Sequence, residues 1–150
     1  MRHRSIVPAA SLVIAAAIGG CAAAARPPLA LPAAPPDKAR LVVYCDNNPV
    51  DNPEWTTVSL DGTPLVGIGP GNVFYRDLAP GTYEIEVRSE QLYPNQARTL
   101  SLGARTTTFI DVQAVIGWGK SETKQPRPFT LVIVDPATAE RAIAPLALSR

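Results

Sequence analysis

From Ala39 onward, apolar and polar residues alternate in short runs closed by Gly, Pro, Asn or Asp, and this period of two predicts β-strands. Leu41, Val43 and Cys45 alternate with Val42 and Tyr44, so residues 39–45 are apolar on both faces and predict a central strand. Trp55 to Leu60 places Thr56, Val58 and Leu60 on one face; Asp61-Gly62 then predicts a two-residue hairpin, with Thr63 to Ile68 as the returning strand. The cluster Gly67, Gly69, Pro70, Gly71 ends that strand, and Asn72 to Leu78 predicts the next. Pro80 and Gly81 suit the central positions of a type II turn, after which Tyr83, Ile85 and Val87 oppose Glu84, Glu86 and Arg88 on a half-buried strand. Further strands are predicted at Leu100–Leu102, at Arg105–Val112 after a Gly103-Ala104 turn, and at Phe129–Val134. Asp135 and Pro136 fit the cap and first turn of a short helix through Ile143, ended before Pro145.

Seven or eight short strands and one terminal helix predict an all-β fold, a β-sandwich of the immunoglobulin or transthyretin kind with a short C-terminal helix. A doubly wound α/β fold is excluded because it needs long amphipathic crossovers, and the pattern contains none.

Upstream of the strands the pattern is different. Arg2, His3 and Arg4 precede an apolar run from Ile6 to Ile18, which has the length of a secretion-signal core and is too short for a stable membrane span. It ends in Ile18, Gly19, Gly20, Cys21. An aliphatic residue, two small residues and a cysteine resemble the lipobox of bacterial lipoproteins, with Ile18 where Leu is commoner. The resemblance implies a signal peptide over residues 1–20, cleavage before Cys21, diacylglycerol on its thiol and a further acyl chain on its new amino group. Several acyl chains at about 0.8 kcal/mol per buried methylene make a stable anchor. The plain alternative is an ordinary signal peptide cut among Ala22 to Ala25. Ala22, which is not Asp, implies by the same resemblance a bacterial membrane location, the outer membrane facing the periplasm where the host has two. Ala22 to Pro36 carries Pro27, Pro28, Pro32, Pro35 and Pro36, which withhold amide donors and favour an extended, solvated tether. The expected layout is a signal peptide at 1–20, a lipidated cysteine and tether at 21–38, and a sandwich domain at 39–150.

Charge and composition narrow the chemistry. Loss of Arg2 and Arg4 turns the net charge of +1 slightly negative, so no basic stripe points to nucleic acid. His3 is the single histidine of the chain, and its removal excludes Ser-His-Asp and Cys-His catalysis as well as HExxH zinc sites. The two cysteines are Cys21 and Cys45, so lipidation of the first leaves no partner for an internal disulfide. Cys45 lies in register with Leu41 and Val43 and reads as a small buried hydrophobe, not a nucleophile.

Asp46, Asn47, Asn48, Asp51, Asn52 and Glu54 crowd one loop, but Val50 occupies a ligand position and no glycine supplies the sharp bend of a calcium loop; solvated Asx turns are the better expectation. The glycines at 67–71 precede a strand instead of a helix, so they do not form a phosphate cradle. Glu84 and Glu86 alternate with apolar residues as on a solvent-facing strand, leaving a carboxylate-based hydrolase as the weakest expectation. No cofactor and no metal site is expected. Trp55, next to the polar loop, and Trp118, between Gly117 and Gly119, are the candidates for stacking against sugars.

Taken together, the lipobox, the proline-rich tether, the strand at 39–45, the Asp61-Gly62 hairpin, the Leu78–Tyr83 turn and the 129–135 strand resemble bacterial lipoproteins with a small β-sandwich domain of unknown function. Leu60-Asp61-Gly62 and Leu78-x-Pro80-Gly81-x-Tyr83 are also similar to signatures of PEGA-type domains. These motifs specify turns and imply no catalytic residue. The expected function is a lipid-anchored, non-catalytic interaction or structural domain of the cell envelope, held to the membrane through Cys21 and binding an envelope protein or polysaccharide. The alternative within that class is a carbohydrate-binding module using Trp55 and Trp118.

Overall fold

The computed structural model describes residues 27–46, 55–88, 96–114 and 129–149. Cys21, with Ile18, Gly19 and Gly20, lies outside the described residues, as do Trp118 and most of the acidic loop. Among the described residues nine strands and one helix follow in the order β1 (Ala39–Cys45), β2 (Thr56–Leu60), β3 (Thr63–Ile68), β4 (Asn72–Leu78), β5 (Gly81–Val87), β6 (Gln96–Leu102), β7 (Thr107–Ala114), β8 (Phe129–Val134), α1 (Pro136–Ile143) and β9 (Ala147–Leu148). They form two sheets, β8-β7-β1-β4-β9 and β3-β2-β5-β6. The fold is therefore the expected all-β sandwich with a short C-terminal helix; the two-residue β9 after the helix brings the strands to nine.

Alternation decides what each sheet buries. Leu41, Val43 and Cys45 of β1 join Val58, Ile85, Val87, Leu100, Ile110, Val112 and Leu131 in the core between the sheets. Val42 and Tyr44, on the other face of β1, join Val73 and Phe109 under Ala139 and Ile143 of α1. Because α1 covers the outer face of the five-stranded sheet, β1 is buried on both sides, which is why every residue from Ala39 to Cys45 is buried. β1 runs parallel to β7, with Leu41 opposite Thr108, and antiparallel to β4.

Turn chemistry sets the connections. Asp61 (φ 47°) and Gly62 (φ 73°) both adopt the left-handed region, as a type I′ hairpin requires. The Asp61 side chain also accepts the Glu84 amide at 2.8 Å, tying the hairpin to β5. The Pro80-Gly81 connection departs from the expected type II turn, since Gly81 is not among the glycines with positive φ. The chain is not folding back here but crossing from one sheet to the other: Gly81 enters β5 as extended backbone, and the Tyr83 hydroxyl donates to the Ala79 carbonyl at 2.8 Å to close the corner. The strand predicted from Arg105 starts at Thr107, because Arg105 (φ 61°) sits in the turn and donates its amide to the Lys38 carbonyl. The predicted helix is present from Pro136 to Ile143, with the Asp135 carboxylate accepting the Thr138 amide at 3.0 Å.

The strand directions give the sandwich two distinct ends. Cys45, Ile68, the Gly69–Gly71 turn, Val87, Gln96, Ala114 and Phe129 lie at one, here called the glycine end; Ala39, Asp61-Gly62, Ala79-Pro80 and Gly103–Thr106 lie at the other, the corner end. Residues 27–38 contain no helix or strand, yet they are not a wholly solvated tether. Leu29 and Leu31 pack against the outer cluster, and the Leu29 amide donates to the Ala144 carbonyl at 2.8 Å. Its two leucines thereby join the apolar cluster that lies beneath α1.

Candidate functional site

At the glycine end, Gly69 at the junction of β3 and β4 makes room for an aromatic ring. Trp55 directly precedes β2, and its indole lies flat over Gly69: a Cβ on Gly69 would fall 2.7 Å from Trp55 Cδ2 and Cε2. Any side chain at 69 would displace the ring. Trp55 is nevertheless 63% exposed, so one face of the indole rests on backbone and the rest meets solvent. The turn beneath is held by Gly71 (φ 76°) and by the Asn72 side-chain amide, which donates to the Gly69 and Pro70 carbonyls at 3.3 and 3.1 Å. Sequence spacing alone places Trp55 beside the acidic loop; its seat on Gly69, fourteen positions away, appears only in three dimensions.

Ala114 and Phe129, which bracket the stretch containing Trp118, lie at this same end of the sandwich. The position of Trp118 itself falls outside the described residues.

On the outer face of the five-stranded sheet, two charged groups are buried in contrasting ways. Arg40 is 3% exposed and faces Asp77 directly across the β1–β4 ladder. Its Nε and Nη2 donate to the two carboxylate oxygens at 2.7 and 2.8 Å, Nη1 donates to the Pro32 carbonyl, and the guanidinium lies 4.6 Å from the Tyr75 ring centroid. The hydrogen bonds from Arg40 hold the Asp77 carboxyl below the usual range, and Asp77 in turn raises Arg40. Asp111, on the same face of β7 and paired in register with Tyr44, has no such partner. Gln113 Nε2 donates to its Oδ2 at 2.6 Å, while Oδ1 has no hydrogen-bond partner among the described residues. Burial, opposed by the Gln113 bond and aided by the Asp46 charge, pushes the Asp111 carboxyl up to about 6. Burial and the carboxylates of Asp111, Asp46 and Asp135 also push the Tyr44 hydroxyl well above its ordinary value.

Between the 29–33 segment and α1 lies a pocket of about 540 Å³, with Thr107 and Phe109 at its floor and Pro136, Glu140 and Ile143 on the helix side. Arg40 reaches it with its guanidinium committed to Asp77 and Pro32.

The other sequence candidates are dispersed. Glu84 and Glu86 alternate with buried Ile85 and Val87, and the Glu84 amide serves the hairpin, so these carboxylates stand along a strand and do not converge on a pocket. Cys45 is 1% exposed in the core, as its register predicts. No group of three or more His, Cys, Asp or Glu side chains able to hold a metal occurs among the described residues. None of the described helices is long and apolar enough to cross a membrane. Sequence reasoning missed the Arg40–Asp77 pair and the orphaned Asp111 oxygen; a charged residue inside an otherwise apolar strand, as in ARLVVYC and TTFIDVQA, is the signal that marks both.

Comparison with family models, with characterised proteins and with solved structures finds no match.

Proposed function

We propose that this chain is a lipid-anchored lipoprotein of the bacterial cell envelope whose β-sandwich serves as a non-catalytic binding or structural domain. The observation that carries the reading is the motif Ile18, Gly19, Gly20, Cys21 at the end of a positively started apolar segment, followed by a proline-rich lead into the sandwich. The resemblance to lipoproteins with small sandwich domains, and to PEGA-type domains through the hairpin and corner motifs, points the same way. Glu84 and Glu86, the carboxylate pair the sequence offers a hydrolase, stand along one strand in alternation with buried Ile85 and Val87, and this favours binding over a hydrolase, because acid/base catalysis needs two groups aimed at one reacting atom. In the test, Cys21→Ser and the wild-type chain are expressed with a labelled fatty acid. The wild type should take up label and the variant should accumulate as unlabelled precursor; equal labelling of both would overturn the anchor.

A carbohydrate-binding role is the second reading, and the exposed indole of Trp55 on Gly69 favours it. A ring fixed flat on backbone, with its free face in solvent, is the surface on which a pyranose stacks. Soluble envelope glycan fragments should then quench Trp55 fluorescence saturably in a Trp118→Phe background. Gly69→Ala, which unseats the indole, should abolish that quenching; a lack of saturation with the seated ring removes the reading.

A further inference from the structure

We infer that the pocket between α1 and the leader, residues 27–38, is a binding site for an uncharged amphiphile that presents a carbonyl oxygen to Arg40, as an acyl ester does. The inference goes beyond an interaction domain, since it gives the domain a small-molecule ligand, and it stands whether or not Cys21 carries lipid.

Each wall of the pocket is held in place. The leader is fixed on both sides of it: the Leu29 amide donates to the Ala144 carbonyl at 2.8 Å, and Arg105 holds the far end, its amide donating to the Lys38 carbonyl at 2.7 Å and its Nε to the Pro36 carbonyl at 3.3 Å. Between those points Arg40 Nη1 donates to the Pro32 carbonyl. The opposite wall is one face of α1, because Pro136, Glu140 and Ile143 stand at positions i, i+4 and i+7 of the helix. Thr107 and Phe109 of β7 close the floor. The volume of about 540 Å³ lies within the roughly 300–1,000 Å³ of small-molecule sites.

The lining selects the ligand. Eight of its eleven residues are apolar, among them Leu29, Leu31, Phe109 and Ile143, so the body of the ligand is hydrocarbon. Arg40 sets the polar end. A guanidinium carries five N–H groups. Three of them are donated, by Nε and Nη2 to Asp77 and by Nη1 to Pro32, and the other two have no acceptor among the described residues. Arg40 is 3% exposed, so the pocket that it lines is where those two N–H groups meet an acceptor. A carbonyl oxygen has two lone pairs and can accept both. A carboxylate would suit the donors but not the charge, because Asp77 already balances Arg40 and Glu140 adds a further negative charge on the helix wall. An ammonium offers Arg40 no acceptor at all. A neutral carbonyl on an apolar chain satisfies both the donors and the charge.

The test uses the full-length protein in dodecyl maltoside and three photoreactive probes that share one diazirine-bearing octyl chain and end in a methyl ester, a carboxylate or an amine. After irradiation the attached mass is located by peptide mass spectrometry. The ester should attach saturably within residues 29–33, 107–109 and 136–143, and several-fold more than either charged probe. Ala30→Trp, which fills the pocket from an exposed position of the leader, should abolish that label while circular dichroism shows the fold retained. Arg40→Met with Asp77→Leu removes the donors together with the ion pair and should erase the advantage of the ester. Equal attachment of the three probes to the wild type, or label spread over the surface without saturation, overturns the site. Preference for the amine assigns the pocket to Glu140 and overturns the role of Arg40. A pocket that takes up the ester in Cys21→Ser but not in the lipidated chain is filled by the chain's own acyl groups, which overturns a separate ligand.

Discussion

Replacing Asp77 by alanine should be among the most damaging single changes in the domain, although Asp77 itself is 27% exposed. The cost arises at Arg40, which is 3% exposed and would keep its charge after losing both carboxylate bonds. Stranding one member of a buried ion pair typically costs about 3–5 kcal/mol, and the partial exposure of the Asp77 side, which admits water to the vacated space, places the expectation near the lower end. Against a total stability of about 5–15 kcal/mol for a domain this is a large fraction. With a urea slope of about 1–3 kcal/mol per molar, the unfolding midpoint should fall by roughly 1–3 M at an unchanged slope. The freed guanidinium also loosens the bond to Pro32, so protease access around residues 29–33 should rise in the same variant. Replacing both partners, as Arg40→Met with Asp77→Leu, removes the desolvated charge altogether and should return stability to within about 1 kcal/mol of the wild type. The pair also predicts a pH dependence. The hydrogen bonds from Arg40 hold the Asp77 carboxyl below its ordinary 3.8, so its contribution is present above that value and is lost as the pH falls through the lowered one. If Asp77→Ala costs less than about 1 kcal/mol, the guanidinium is rehydrated at no great expense and the pair behaves like one at the surface, which refutes the reasoning.

Asp111 should behave in the opposite sense. Its carboxyl is raised from 3.8 to about 6, so the native state holds a proton that the unfolded chain has released across that window, and stability should decline as the pH rises through it. The shift corresponds to at most about 3 kcal/mol, and Asp111→Asn should recover part of it at neutral pH and flatten the profile in chemical denaturation between pH 4 and 7. Cys45, 1% exposed, should react with thiol reagents only as the protein unfolds; Cys45→Ala should cost stability, and Cys45→Ser more because it buries a hydroxyl, whereas rapid labelling of the native protein would place the thiol elsewhere. Asp61→Ala should lose about 1–2 kcal/mol by thermal denaturation, since it removes the acceptor for the Glu84 amide and places alanine at φ 47°, while Asp61→Asn should lose much less.

Strands, hairpin and helix were legible because each is written in local pattern. The double apolar face of ARLVVYC could only belong to a strand covered on both sides, Asp61-Gly62 could supply two positive φ angles in a row, and Asp135-Pro136 could cap and start a helix. What was not legible depends on contacts between residues far apart in the chain. Nothing near Arg40 announces Asp77, thirty-seven residues on, or the Pro32 carbonyl that the same side chain reaches. Pro80-Gly81 has the composition of a type II turn, but its conformation follows from β4 and β5 belonging to different sheets. The prolines of the leader imply a solvated tether; that Leu29 and Leu31 come to rest in the outer cluster depends on packing against residues far along the chain. Trp55 was legible as a candidate by its residue type, and its seat on Gly69 was not.

The central claim, that Cys21 is the lipidated first residue of the mature chain, is tested most directly by mass spectrometry of the N-terminal peptide of the protein extracted from a bacterial membrane fraction. The account predicts a peptide that begins at Cys21 and carries the added mass of a diacylglyceryl group on sulfur, with a further acyl chain on the amino group where the host adds one. A peptide that begins after Ala25, or one that begins at Cys21 with an unmodified thiol, contradicts it.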